Sequence, residues 1–189
     1  MKKLIHLIAL MSILVLSSCS EDGITNSKDE NQLKIATLHK IAQDLDAEIT
    51  IDKNINESNA ILINSEEEYR TFITNVKNKL KNENALNFGI LNDGSQMRKA
   101  GCENGVYSGS GMSSGLATLN FDVSVSGGCI SGISGGFNGV SIGVSYTQGG
   151  TSYGCNSGTV CGSVNYNIFF EGIGTIYSER VCYKISLSC

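Results

Sequence analysis

Four stretches beyond residue 118 alternate apolar and small polar residues at period two, and this pattern limits the fold more than anything else in the chain. Leu119, Phe121, Val123 and Val125 alternate with Asn120, Asp122, Ser124 and Ser126. Val140, Ile142, Val144 and Tyr146 alternate with Ser141, Gly143, Ser145 and Thr147. Val160, Val164, Tyr166, Ile168 and Phe170 share one face, and Val181, Tyr183, Ile185 and Leu187 alternate with Cys182, Lys184, Ser186 and Ser188. Successive side chains of an extended chain point to opposite faces, so each stretch predicts a strand with one face on a core and the other in solvent. Residues 86–90 and 173–177 bring the expected count to about five to seven strands. Gly127-Gly128, Gly149-Gly150, Asn156-Ser157-Gly158 and Glu171-Gly172 supply the turns. Nineteen of the 22 glycines fall after residue 100, and the chain has no proline, so every non-terminal backbone N–H is free to join a ladder. These features predict a Gly-rich β domain over residues 101–189, an antiparallel β-sandwich or open barrel.

Charge is distributed the other way. Fourteen acidic and ten basic residues lie between 19 and 100, against four and two after it, and no basic residue occurs between Lys99 and Arg180. The shift sets residues 33–100 apart as a mixed α/β segment, making the fold class α+β with the helical part N-terminal. Leu33, Ile35, Leu38, Ile41, Ala42 and Leu45 recur at helical spacing and predict a helix over 32–45. Residues 48–52 and 60–63 read as short strands. Ser65 before Glu66, Glu67 and Glu68 is a capping box, with the Ser oxygen accepting an early backbone N–H and Glu68 reaching back. Tyr69, Phe72, Ile73, Val76 and Leu80 follow on one face, which predicts a helix over 66–82. The three glutamates serve the positive end of that helix rather than a metal, because consecutive helical residues splay apart.

The start of the chain reads as an address. Lys2 and Lys3 precede an apolar run from Leu4 to Leu16, too short for a bilayer core that needs about 20 residues, and of the length found in signal peptides. The run ends in Leu16-Ser17-Ser18-Cys19, which resembles the lipobox of bacterial lipoproteins. The resemblance implies a leader over residues 1–18, removed after export, and acyl chains of the palmitate type on Cys19. Ser20, Glu21 and Asp22 resemble the surface-export signal of some Gram-negative lipoproteins, and residues 19–32 read as a flexible tether. The expected place is the outer membrane, facing the cell surface or the periplasm, with the lipid as the membrane contact. Cleavage after residue 18 leaves twelve basic against eighteen acidic residues. That balance speaks against nucleic acid as a partner.

With Cys19 assigned to lipid, Cys102, Cys129, Cys155, Cys161, Cys182 and Cys189 remain, an even number in an exported chain, which predicts three disulfides. Cys182 and Cys189 lie along one predicted strand, roughly 23 Å apart when extended, and should not pair. Cys155 and Cys161 flank a turn and are expected to pair. Cys102 and Cys129 would each then take one of the C-terminal cysteines. There is no C-x-x-C, so neither a zinc site nor a redox dithiol is expected, and no metal or cofactor is assigned.

Catalytic chemistry finds few materials. His39, the only histidine after the leader, reads as a helix-surface residue. Glu103, Asp122, Glu171 and Glu179 are the acids of the second half, and no spacing brings two together as a glycosidase requires. The glycine-rich stretch 132–139 lacks the Lys-Ser/Thr and helix of a phosphate loop. The chain is therefore expected to be a non-enzymatic binding or structural module for a protein or glycan. Tyr107, Tyr146, Tyr153 and Tyr166 on a neutral Gly/Ser/Thr surface are the candidate contact residues. Two other readings stand beside it: a membrane-inserting hairpin over residues 116–147, whose one charge is Asp122, and a carboxylate-based hydrolase.

Overall fold

The computed structural model describes residues 25–82, 85–89, 103–114 and 116–188. The chain divides into two compact units, residues 1–35 and 36–189. Helix α1 (Thr25–Asp44) begins inside the stretch expected as tether. In the first unit its Lys34 pairs with Glu30 one turn away, at 2.8 Å.

In the second unit α1 closes in a Schellman turn. Asp46 takes the left-handed conformation (φ 48°), and the Ala47 N–H returns to the Ala42 carbonyl at 2.8 Å. Strands β1 (Glu48–Ile51) and β2 (Ile61–Ile63) follow, then helix α2 (Glu66–Asn82) and strand β3 (Ala85–Gly89). The bounds of α2 match the capping box. The Glu68 N–H donates to Ser65 Oγ at 3.2 Å, while the Glu68 carboxylate accepts from the Asn64 N–H at 2.9 Å, one residue before the cap. Six strands complete the chain: β4 (Gly105–Ser114), β5 (Leu116–Ser126), β6 (Cys129–Val140), β7 (Val144–Tyr153), β8 (Ser157–Phe170) and β9 (Ile173–Ser188).

The long hairpin of β8 and β9 is the spine of the larger sheet, in register from Ser157↔Ser186 to Phe170↔Ile173 around a Glu171-Gly172 turn. The free edge of β9 takes β1 antiparallel and, further along, β3 parallel. That of β8 takes β2 parallel and β7 antiparallel. The smaller sheet is the antiparallel meander β4-β5-β6, turning through Gly127-Gly128 with both φ positive. The two sheets pack as a sandwich without closing into a barrel, giving the α+β class expected from sequence. The charge-rich and glycine-rich stretches thus share one sheet.

Even-numbered residues of β8 and odd-numbered residues of β9 form the inner face, and this face has two ends. At one end α2 covers it: Tyr69 meets Phe170 edge-on with ring centroids 5.3 Å apart, and Phe72 meets Tyr166 at 5.4 Å. At the other end the smaller sheet covers it through Leu119, Phe121 and Val123, all fully buried, and Phe121 lies against Tyr183 at 4.9 Å. There, rings lie over glycine on the adjacent strand of their own sheet. A Cβ on Gly135 would lie 2.6 Å from the Phe121 ring, and one on Gly162 would lie 2.6 Å from the Thr147 carbonyl and 2.5 Å from Tyr146 Oη.

Four expectations are corrected. Val140 to Tyr146 is not one strand: β6 ends at Val140 and β7 begins at Val144, because Gly143 (φ 69°) turns the chain against the backbone of residues 60 and 61. Val140 and Ile142 are left 62% exposed. Gly149-Gly150 is no turn but lies in β7, at a register shift between Gln148 and Thr151. Cys155 and Cys161 are not bonded to each other. The bridges are Cys129–Cys155 and Cys161–Cys182. Cys161 stands about 13 Å up β8 from the start of the strand, directly opposite Cys182, while the turn carries Cys155 to the beginning of β6. Cys129 accordingly does not take a C-terminal partner. Cys182 does not pair with Cys189, in keeping with strand parity. Cys19, Cys102 and Cys189 lie outside the described residues.

Candidate functional site

The strand register that buries Leu119, Phe121 and Val123 turns the intervening residues of β5 outward. Thr118, Asn120 and Asp122 then meet matching positions on both neighbours. Asp122 stands between Ser108 of β4 and Ser134 of β6, and Thr118 between Ser113 and Asn138. Ser108 donates to Asp122 Oδ1 at 2.5 Å, and the Ser113 and Thr118 hydroxyls lie 3.2 Å apart. Asn120 stands opposite Gly136, which has no side chain, and a trough of about 220 Å³ opens there. Asn120, Asp122, Ser134, Gly135, Gly136 and Asn138 line it. The amide oxygen of Asn120 is covered and has no hydrogen-bond partner among the described residues. An unpaired buried acceptor costs about 1–3 kcal/mol.

The edge of β6 beside this face is held by side chains of β7. Gln148 accepts from the Gly135 N–H at 2.8 Å and donates to the Ile133 carbonyl at 3.1 Å. The Tyr153 hydroxyl donates to the Ser131 carbonyl at 2.9 Å, and the Ile130 N–H donates to the Cys155 carbonyl at 3.0 Å beside the Cys129–Cys155 bridge. Four contacts and a covalent bond thus replace a ladder between β6 and β7.

The four tyrosines singled out from sequence do not converge. Tyr166 is in the core, 3% exposed, stacked on Tyr177 and with its hydroxyl 3.9 Å from Met112 Sδ. Its place beside Val164 and Ile168 on the apolar face already carried that signal. Tyr146 is half-buried, edge-on to Phe121, and burial raises its phenol. Tyr107 is half-buried and donates to the Glu103 carbonyl at 2.9 Å. Tyr153 alone is well exposed, at 47%. It lines a shallow depression of about 310 Å³ with Ser157, Thr159, Lys184 and Ser186.

The titratable groups are equally dispersed. His39 is exposed on α1, Glu103 is exposed ahead of β4, and Glu171 sits in the β8–β9 turn. Glu179 accepts the Tyr177 hydroxyl at 2.6 Å, and burial, reinforced by that carboxylate, pushes the Tyr177 phenol well above its usual range. Tyr69 is fully buried, its phenol pushed up to about 12 by desolvation, and bonded to Thr175 Oγ1 at 2.8 Å. The Thr175 hydroxyl donates to the Ile168 carbonyl at 3.2 Å, so Tyr69 is the donor of that pair. Among the described residues no three His, Cys, Asp or Glu side chains are placed to hold a metal ion. Among them, too, no helix is long and apolar enough to cross a membrane. A hairpin inserting over residues 116–147 would first have to withdraw Leu119, Phe121 and Val123 from the core.

No family model, no curated protein and no solved structure matches this chain.

Sequence reasoning found Asp122 and its polar neighbours on β5 but not the partners in their rows. Ser108, Ser113, Ser134 and Asn138 lie on β4 and β6, whose Gly-Ser composition carries no apolar alternation of its own.

Proposed function

We propose that this protein is an exported lipoprotein, held in the outer membrane by acyl chains on Cys19, and that it acts as a non-catalytic binding module for an envelope protein or glycan. The outer face of β4-β5-β6 is its contact surface. One observation supports this most: hydroxyl and amide side chains from three strands are matched in register around the single carboxylate of Asp122. Several acyl chains, each methylene contributing about 0.8 kcal/mol, hold such a module at the membrane without a spanning helix. With Cys129–Cys155 and Cys161–Cys182 formed, Cys102 and Cys189 are the pair left for a third bridge.

Mass spectrometry of the protein purified from membranes tests the anchor and the bridges. The expected result is an acylated N-terminal Cys19, no alkylatable thiol and a Cys102–Cys189 peptide pair. An unmodified chain still carrying residues 1–18 would overturn the anchoring. Protease treatment of whole cells separates surface display, where the module is cut, from a periplasmic position, where it is spared. The binding role is tested by capture of purified envelope proteins and envelope glycans on the immobilised full protein. Retention that falls when Asp122 is replaced supports it, and retention of neither class overturns it.

A further inference from the structure

The trough on the outer face of β4-β5-β6 has the dimensions and the hydrogen-bonding groups of a sugar subsite. We propose that it holds one uncharged sugar residue of a hydroxyl-rich glycan, which names the ligand class of the binding surface proposed above and rests on that reading. Three observations carry the assignment.

The first is the chemistry of the wall. Asp122 is acceptor-only; Ser108 occupies one of its oxygens, leaving the other for a ligand donor. Asn120, Asn138 and Ser134 each both donate and accept. This set complements neighbouring hydroxyls, each of which is donor and acceptor at once. None of the six lining residues is cationic, so phosphate, sulfate or uronic-acid groups would meet the Asp122 carboxylate uncompensated. None carries a large apolar side chain, so a lipid or an apolar peptide anchor has nothing to pack against.

The second is size and stiffness. A volume of about 220 Å³ lies below the roughly 300–1,000 Å³ of sites for drug-sized ligands, and suits a single ring. Asp122 and Asn120 stand on the central strand of the sheet, and β6 is tied on its far side by Gln148, Tyr153 and the Cys129–Cys155 bridge. The groups are therefore held in place before a ligand arrives.

The third is the amide of Asn120 in the trough wall, whose covered oxygen has no hydrogen-bond partner among the described residues, so that turning the side chain toward a ligand hydroxyl breaks no bond to that oxygen.

Gly136 makes the test clean. A Cβ there meets no atom within 4 Å, so a side chain at this position occupies the trough without disturbing the sheet. The full protein, purified in detergent, is presented to an array of neutral, amino and acidic glycans alongside Gly136→Val and Asp122→Asn, with thermal midpoints checking that each variant is folded. The expected result is retention of at least one uncharged glycan, weakened tenfold or more by either substitution. Uncharged glycans retained equally by Gly136→Val, or acidic glycans retained in preference, would overturn the assignment. Capture of a purified envelope protein that Gly136→Val abolishes, with no glycan retained, overturns the sugar while leaving the binding module standing. Retention of neither class overturns both.

Discussion

The β8–β9 hairpin is packed in two ways along its length, and the contrast explains where the chain spends its glycine. From the Phe170 end α2 runs along it, with Tyr69 against Phe170, Phe72 against Tyr166 and Ile73 fully buried, and its last turn, with Leu80 and Lys81, lies beside Val181 and Cys182. A helix lies about 10 Å from a neighbour across its side chains, so bulk is what the interface needs. At the Cys161–Cys182 end the same strands meet a glycine-rich sheet, and rings lie on bare backbone, Phe121 over Gly135 and Tyr146 over Gly162. Glycine there permits contact but adds little buried area and leaves the unfolded chain more freedom to lose. Both described bridges fall at this end, with Cys161 and Cys182 on the face of the hairpin turned away from the smaller sheet.

The largest expected break in this contrast is removal of a bridge. Cys161 and Cys182 are 21 residues apart and Cys129 and Cys155 are 26 apart. In the chain-entropy model, loops of that length make each bridge worth about 3–4 kcal/mol. Replacing Cys161 and Cys182 together by alanine should lower the thermal midpoint by roughly 10 °C, measured by calorimetry; a change under about 2 °C would show that packing alone holds this end. Next in size is Gly162→Ala. The added methyl group would press on the Thr147 carbonyl and Tyr146, for a cost of about 1–3 kcal/mol, against a gain of a few tenths if the site had room. A denaturant titration gives the sign.

The smallest effect at neutral pH belongs to Tyr69, under α2, and it has a pH signature. The Tyr69 phenol stands near 12 in the folded protein and at about 10 in the unfolded chain. Tyr69 therefore leaves stability independent of pH below pH 10, and its ionisation takes away about 2–3 kcal/mol as pH rises from about 10 to about 12. Tyr69→Phe is expected to cost about 1 kcal/mol at neutral pH, through the lost bond to Thr175. It should also make stability fall less steeply above pH 10. An unchanged alkaline slope would remove Tyr69 as its source.

The two ends also differed in how readable they were. Helix α2, the inner faces of β5, β8 and β9, and the turns at Gly127-Gly128 and Glu171-Gly172 follow from periodicity and local turn chemistry. Strands β4 and β6 do not. Their ladder is imposed by β5, and residues such as Gly109, Gly135 and Gly136 face it with no apolar signature. The disulfide partners escaped for the same reason: Cys161 and Cys182 are joined by a hairpin register, and Cys129 and Cys155 by a seam between sheets, neither of which is a local property. The candidate trough shares that origin. Asp122 was visible as a lone acid on a polar strand face, but Ser134 and Asn138 became its neighbours only through β6. Gln148, which seals the β6 edge, gave no signal at all, since its role depends on a bulge in β7 that the sequence presents as a turn.

Amide hydrogen exchange under mild reduction, followed residue by residue, tests the division between the two ends most directly. Once the bridges open, protection is expected to fall first in β5, β6 and β7, between Leu116 and Tyr153, while α2 and the Ile168–Phe170 segment of β8 keep theirs. Loss of protection in α2 at the same rate as in β5 and β6, or before it, would contradict the account.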